Sequence, residues 1–321
     1  MKRVLCVALT LVMITTLLVG CGSGKKVESW KVTCPWAPSG VASMVSQKAA
    51  AKSSEHSDSI TLVAEAIKGD TATVNTWVVE NKANDPELIF ISEGMLSITD
   101  ILDPARKQFD RDDFVFVENL YSSVFVMSAD AKLDIHSIED LKNYVETAEE
   151  ISVAVNGATG SEAFLSAALF GSMGAGEKLK LTPYKSAAEA AQAVSRGETD
   201  FAVSHQSQIL ESFEQKNVTV VCAFDENAIQ EGPFAGVEGV GQHGYPYFKN
   251  RCLIMARKGT DADKVAALKA LYDDILADQE VVDWLNNTML LEADTMSDAD
   301  VTEHLANVRS IVEQYKDIVV H

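Results

Sequence analysis

Two loops in this chain have the composition needed to hold an anion. Ala37-Pro38-Ser39-Gly40-Val41 and Asn156-Gly157-Ala158-Thr159-Gly160-Ser161 each follow an apolar, β-rich run and precede a helical pattern. Small residues let a ligand reach the backbone N–H groups, and the start of the following helix adds a partial positive charge. Ser39, Thr159 and Ser161 add hydroxyl donors. Neither loop is a nucleotide fingerprint: the second lacks the lysine of GxxxxGK[ST], and Ala158 and Ser161 do not supply GxGxxG. There is no GxSxG nucleophile elbow. The six histidines show no HxxxH or HExxH pairing, so neither a metal site nor a nucleophile with its base is expected. His205 follows the strand-like run Asp200–Ser204, and strand ends of α/β sheets meet the ligand crevice. Ser92, Ser122 and Ser204 are candidates for the same reason. The acidic runs Asp110–Asp113, Glu146–Glu150 and Asp273-Asp274 read as solvated faces.

The elements that must position these residues alternate. Strands are expected at Trp30–Trp36, Thr61–Glu65, Glu87–Ser92, Phe114–Val117, Val124–Ser128, Ile151–Val155, Asp200–Ser204, Thr219–Phe224 and Cys252–Ala256, with helical patterns between most of them. ELIFIS (Glu87–Ser92) is almost purely apolar, as in a sheet covered on both faces. A helix over Thr71–Asn81 places Val74, Val78 and Val79 on one side. Ser137/Asp140, Ser186/Glu189 and Ser297/Asp300 have capping-box spacing, and Gly197 stands where a helix-ending left-handed residue belongs. Glu231–Tyr247 reads as a loop, and the tail from Asp261 as helical. The order strand, Gly/Ser loop, helix occurs near Ser39 and again near Ser161. Two α/β halves facing a cleft follow, with residues 29–124 and 229–321 in one lobe and 125–228 in the other.

With 321 residues and 47% of them hydrophobic, the chain has enough apolar material for a substantial core. Its formal charge of −20 repels phosphate backbones and anionic lipid, which excludes a general nucleic-acid or membrane-surface binder. Met1-Lys2-Arg3 and the apolar stretch Val4–Gly20 read as a secretion signal over residues 1–20. Leu18-Val19-Gly20-Cys21 resembles the bacterial lipobox, which makes Cys21 the lipidation site, residues 21–28 a tether and the location extracytoplasmic. Cys34, Cys222 and Cys252 remain, an odd number without CxxC spacing. Buried thiols are expected, and one disulfide among them stays open.

Several segments together carry a resemblance to a known family. They are Lys31-Val-Thr-Cys-Pro-Trp-Ala-Pro-Ser-Gly40, VAVNGATGSEAFL (Val153–Leu165), Pro183-Tyr184-Lys185 and Gly197-Glu-Thr-Asp200-Phe201. The chain from about Trp30 onward resembles the substrate-binding proteins of tripartite tricarboxylate transporters, the Bug family of solute receptors. The resemblance implies a two-lobed α/β fold of the periplasmic-binding-protein type II (Venus flytrap) kind, closing on a small carboxylate. It implies ligand contacts at Pro38, Ser39 and Gly40, at Gly160 and Ser161, at Tyr184, and at Gly69. It also implies integral-membrane permease subunits as partners, a monomer, and no cofactor or catalysis. A binding lipoprotein of an ABC or TRAP-type transporter is the alternative. The sequence departs from the family pattern at several positions: Ser39 and Ala158 replace glycines, Ser43 an aspartate and Phe164 a histidine. In Gly69-Asp70-Thr71-Ala72 only the first of the family's glycines remains. Asp70, facing the cleft, would repel a second carboxylate or favour a ligand amine.

Overall fold

The computed structural model describes residues 27–319. The expected signal, Cys21 and the tether up to residue 26 lie outside the described residues. The chain forms two mixed sheets. The first begins with β1 (Glu28–Cys34), β2 (Ile60–Ala66), β3 (Glu87–Ser92) and β4 (Phe114–Ser123). After Val124 the chain enters the second, formed by β5 (Phe125–Asp130), β6 (Ile151–Asn156), β7 (Leu179–Tyr184), β8 (Phe201–His205) and β9 (Val218–Ala223). It then returns through β10 (Asn250–Arg257) and the short β11 (Glu292–Ala293). The strand orders are β11-β4-β10-β3-β1-β2 and β7-β6-β8-β5-β9. β1 runs parallel to β2 and β3, whereas the returning β10 is antiparallel to β3 and β4.

The apolar strands are covered on both faces. In β3, Leu88 and Phe90 enter one core cluster and Ile89 and Ile91 another, as alternation across a pleat requires. In β8, Phe201 and Val203 face one cluster and Ala202 a second. The helix starts follow side-chain capping. Ser137 Oγ accepts from the Asp140 N–H and Ser186 Oγ from the Glu189 N–H, while Ser297 and Asp300 form a full reciprocal box. Gly197 is left-handed, with φ of 70°. Cys34, Cys222 and Cys252 are buried free thiols. Among the described residues no helix is long and apolar enough to cross a membrane.

The structure departs from the sequence reading in four places. Val79 is 78% exposed, and Trp77 joins Val74 and Val78 in the core. Positions 74, 77 and 78 share a helical face, and 79 turns away from it. β7 was not expected; it is a half-buried edge strand containing Pro183, paired only with β6, so its pattern is weak. After β3 a π-helical turn, Gly94–Ile98, runs directly into a short α-helix, Thr99–Leu102. Finally, the expected return to the first lobe at residue 229 comes later. Gly239 bridges to Ala223, and Val240 and Phe248 pack into the core around β6 and β8, with Phe248 stacked 6.2 Å from Phe164. The last helix, Asp298–Val319, serves both lobes. Val301 packs into the core of the first sheet, and Val308 and Val312 into that of the second.

Gly239 shows how closely the long loop is held. A Cβ there would stand 2.4 Å from the Asn227 carbonyl oxygen, backbone against backbone. Gly239→Ala is expected to destabilise the protein by about 1–3 kcal/mol, read as a lower urea midpoint. An unchanged midpoint would mean that this loop is not packed as described.

Candidate functional site

A cavity of about 350 Å³ lies between the two sheets. Its size suits a small metabolite. From the first lobe Ala37, Gly40, Val41, Gly69 and Ser92 line it; from the second come Asn156, Thr159, Gly160, Ser161, Tyr184 and His205. Four other candidates lie elsewhere. Pro38 and Ser39 are exposed on the turn that the Gly40 N–H closes onto the Ala37 carbonyl, 2.8 Å away. Ser122 is buried beside Glu292 at 3.4 Å, and Ser204 is buried outside the lining.

Both loops end at helix N-termini of the same kind. The helices Val41–His56 and Ser161–Ser172 have Gly40 and Gly160 as N-caps, and no side chain caps either one. At the first helix the early N–H groups are therefore left for another acceptor, whereas at the second the Glu162 carboxylate, in the first turn, folds back beside Gly160 and accepts from its own N–H. The helices starting after Ser137 and Ser186 differ, because their serines already accept such a bond.

Residues that the sequence reading did not select complete the site. Glu93, directly after Ser92, is fully buried. Its Oε1 accepts from Ser161 Oγ at 3.0 Å and from Asn250 Nδ2 at 2.8 Å, and its Oε2 accepts from the Arg251 N–H at 2.9 Å. Burial pushes its carboxyl upward, and these donors oppose that. The network continues through Asn250 Oδ1, which accepts from Ser123 Oγ at 3.3 Å, and Ser123 Oγ lies 3.0 Å from His205 Nδ1. Burial pushes His205 down to about 4, so the ring is neutral at pH 7.

Glu162 also lines the cavity, at 7% exposure, and among the described residues it has no ion-pair partner. Its carboxyl is pushed up to about 7, by burial first and by the charges of Glu93 and Asp70, against hydrogen bonds from its own backbone N–H and from Asn156. Arg106 spans the mouth: Nη1 donates to Thr159 Oγ1 at 2.6 Å and Nη2 to Asp70 Oδ2 at 3.4 Å. Asn75 holds this loop by donating to the Arg106 carbonyl at 3.0 Å and accepting from the Gln108 N–H at 2.8 Å. Asp70 holds a φ of 53°, a conformation unusual for a non-glycine residue. Among the described residues no group of three or more His, Cys, Asp and Glu is placed to hold a metal ion.

No family model matches the chain, and no curated protein does. Solved structures match over nearly its whole length. The periplasmic binding protein BugD is 17% identical, with a TM-score of 0.78 over 91% of this chain and 98% of that one. MatC from Rhodopseudomonas palustris with bound malate is 17% identical, with a TM-score of 0.75 over 91% and 98%. A TctC solute binding protein from Polaromonas is 14% identical, with a TM-score of 0.68 over 89% and 98%. The chain has the fold of the Bug and TctC solute-binding proteins. At these identities the fold is what is shared, and the side chains of the cavity must be read on their own. In this chain two acids of the region, Glu93 and Glu162, are buried. Glu162 was legible as an acid directly after Gly160-Ser161. Arg106 lies in no pattern that points to a site.

The Glu162 shift has a consequence for stability. Its carboxyl moves from an ordinary 4.5 to about 7, so the folded state holds a proton that the unfolded state has released within that window. The associated stability is fully present below pH 4.5 and is lost as pH rises toward 7. The loss amounts to about 3 kcal/mol. Urea unfolding at a series of pH values should show this decline in the ligand-free protein, and Glu162→Gln should flatten it. A slope unaffected by the substitution would mean that Glu162 titrates normally.

Proposed function

We propose that this chain is the extracytoplasmic substrate-binding protein of a tripartite tricarboxylate-type transporter. It captures a small carboxylate between its lobes and delivers it to membrane permease subunits. One observation carries this reading: two uncapped helix N-termini, one from each lobe, meet at one cavity. A carboxylate held there accepts from the N–H groups after Gly40 and after Gly160, and both helix dipoles favour its charge. Contacts to both lobes exist together only in the closed arrangement, so binding biases the lobes toward closure. The structural neighbours agree in kind, since MatC holds malate and another Rhodopseudomonas palustris protein of this fold is seen with adipate. Cys21 would tether the receptor to the membrane through its lipid, and the receptor works as a monomer. It catalyses no reaction.

The test is a thermal-shift screen of the domain from about Lys25 onward, cleared of carried-over solute, against di- and tricarboxylates, aromatic acids and amino acids. A ligand at 100 times its dissociation constant adds about 2.7 kcal/mol, a shift of a few degrees in a protein of this size. Gly40→Asp provides the matched control. Gly40 has an extended backbone, with φ of −70° and ψ of 147°, which suits an aspartate N-cap supplying its own carboxylate to the N–H groups, while its Cβ would stand 3.1 Å from the Ala37 carbonyl oxygen and the turn must give slightly. The variant is expected to fold, with its urea midpoint as the control, and to lose the carboxylate shift. Full retention of the shift would move the binding site away from this helix start.

A further inference from the structure

The two helix starts at the cavity are not equivalent. The helix after Gly40 has no acid in its first turn, so no carboxylate of its own occupies that start. The helix after Gly160 carries Glu162 there. A Cβ on Gly160 would stand 3.3 Å from Glu162 Oε2, which places this carboxylate back over the helix start. It accepts from the Glu162 N–H and from the Asn156 side chain. These are donors that a ligand carboxylate would use on this lobe. Glu162 is buried, lines the cavity and has no ion-pair partner among the described residues, so these donors are what compensate its charge.

We propose that Glu162 is an internal stand-in for the ligand's carboxylate, and that a ligand reaches the second lobe by displacing it, with uptake of one proton from solvent onto the Glu162 carboxylate. This rests on the solute-receptor reading and adds a regulation to the same site. Two carboxylates competing for one set of donors cannot both stay charged, and the displaced one takes the proton. Glu162 is suited to that part, being already pushed up to about 7 with Glu93 and Asp70 adding negative charge around it. The other titratable and charged groups of the cavity have partners or stay neutral. Glu93 keeps its three donors, and Asp70 and Arg106 face each other. His205 is pushed down to about 4, while Tyr121, Tyr184 and Cys252 are pushed above their ordinary values, so all four are neutral between about pH 6 and 8. Lys68 and Lys185 are exposed at the rim. Above pH 7 Glu162 is charged in the free receptor and protonated in the complex, so binding weakens as pH rises; near pH 6 it is protonated in both and the dependence ends.

Calorimetry tests this with malate, adipate and benzoate, and with whichever acid gives the largest shift in the thermal screen. Each titration is run in two buffers of different ionisation enthalpy, which reports the protons taken up. A binder is expected to draw in about 0.9 proton at about pH 8 and almost none at about pH 6, and to bind about tenfold more weakly at the higher pH. Glu162→Gln keeps the shape and removes the charge. It should end the uptake and raise affinity at about pH 8 by about tenfold, a gain that a misfolded variant cannot give. Binding without proton uptake at that pH, uptake that survives Glu162→Gln, or a folded variant that binds more weakly there overturns the displacement and leaves a carboxylate receptor standing. No binding of any acid by folded, solute-free protein overturns both.

Discussion

The arrangement of the two lobes depends on one buried carboxylate. Glu93 stands at the end of β3 with no cation beside it among the described residues, a position that is unfavourable for a charge unless several donors converge on it. Three do, and they come from different parts of the chain: Ser161 from the second lobe, and Asn250 and Arg251 from the strand that returns to the first. Hydrogen bonds to a charged group contribute about 1.5–3 kcal/mol each. The carboxylate is therefore well placed only when the second-lobe helix start and the returning strand are both docked. Gly94 makes the approach sterically feasible, since a Cβ there would stand 2.8 Å from Ser161 Oγ. The helix start that lines the cavity and the contact that joins the lobes are thus one segment.

The same network reaches the points where the chain changes lobe. Ser123 ends β4 and pairs with Asn250, which begins β10, while His205 ends β8 opposite Phe125 at the start of β5. The hydrogen bonds from His205 through Ser123 and Asn250 to Glu93 therefore lie across the crossover strands. Two helical segments also bridge the lobes. The turn after β3 sends Met95 and Leu96 into one core and Ile98 into the other, and the last helix does the same with Val301 against Val308 and Val312. Opening by rotation about the crossovers would leave the sheets intact and would break Ser161 to Glu93 and Arg106 to Thr159, with the two bridging helical segments staying packed or shifting with one lobe.

What the sequence made legible follows from how local each signal is. Apolar runs such as Glu87–Ser92, serine caps followed by an acid three residues on, and a glycine closing the helix before β8 depend on neighbours in the chain, and they read correctly. The two anion loops were legible for the same reason, and each carries its own helix start. The resemblance to the Bug receptors added a fold that local pattern alone could not assemble. What escaped was set by distant partners. β7 is a half-buried edge strand held by β6, and residues 229–249 stay with the second lobe because Val240 and Phe248 find their apolar partners there. Glu93 is an ordinary acid in sequence; only residues 161, 250 and 251, far along the chain, make it the junction.

A protein of net charge −20 can hold a carboxylate because the relevant field is local. Beyond about 8 Å, surface charges are screened at physiological ionic strength. Inside the cavity the nearest sources dominate: the aligned peptide dipoles of the helices after Gly40 and Gly160, and the side chains of Glu162, in the first turn of the second helix, and Asp70. Backbone dipoles are fixed by the fold and need no basic residue, so an acidic surface and an anion site coexist without conflict. Carboxylate side chains are a choice of sequence laid over that backbone. The fold accordingly supplies the pole that any carboxylate would use.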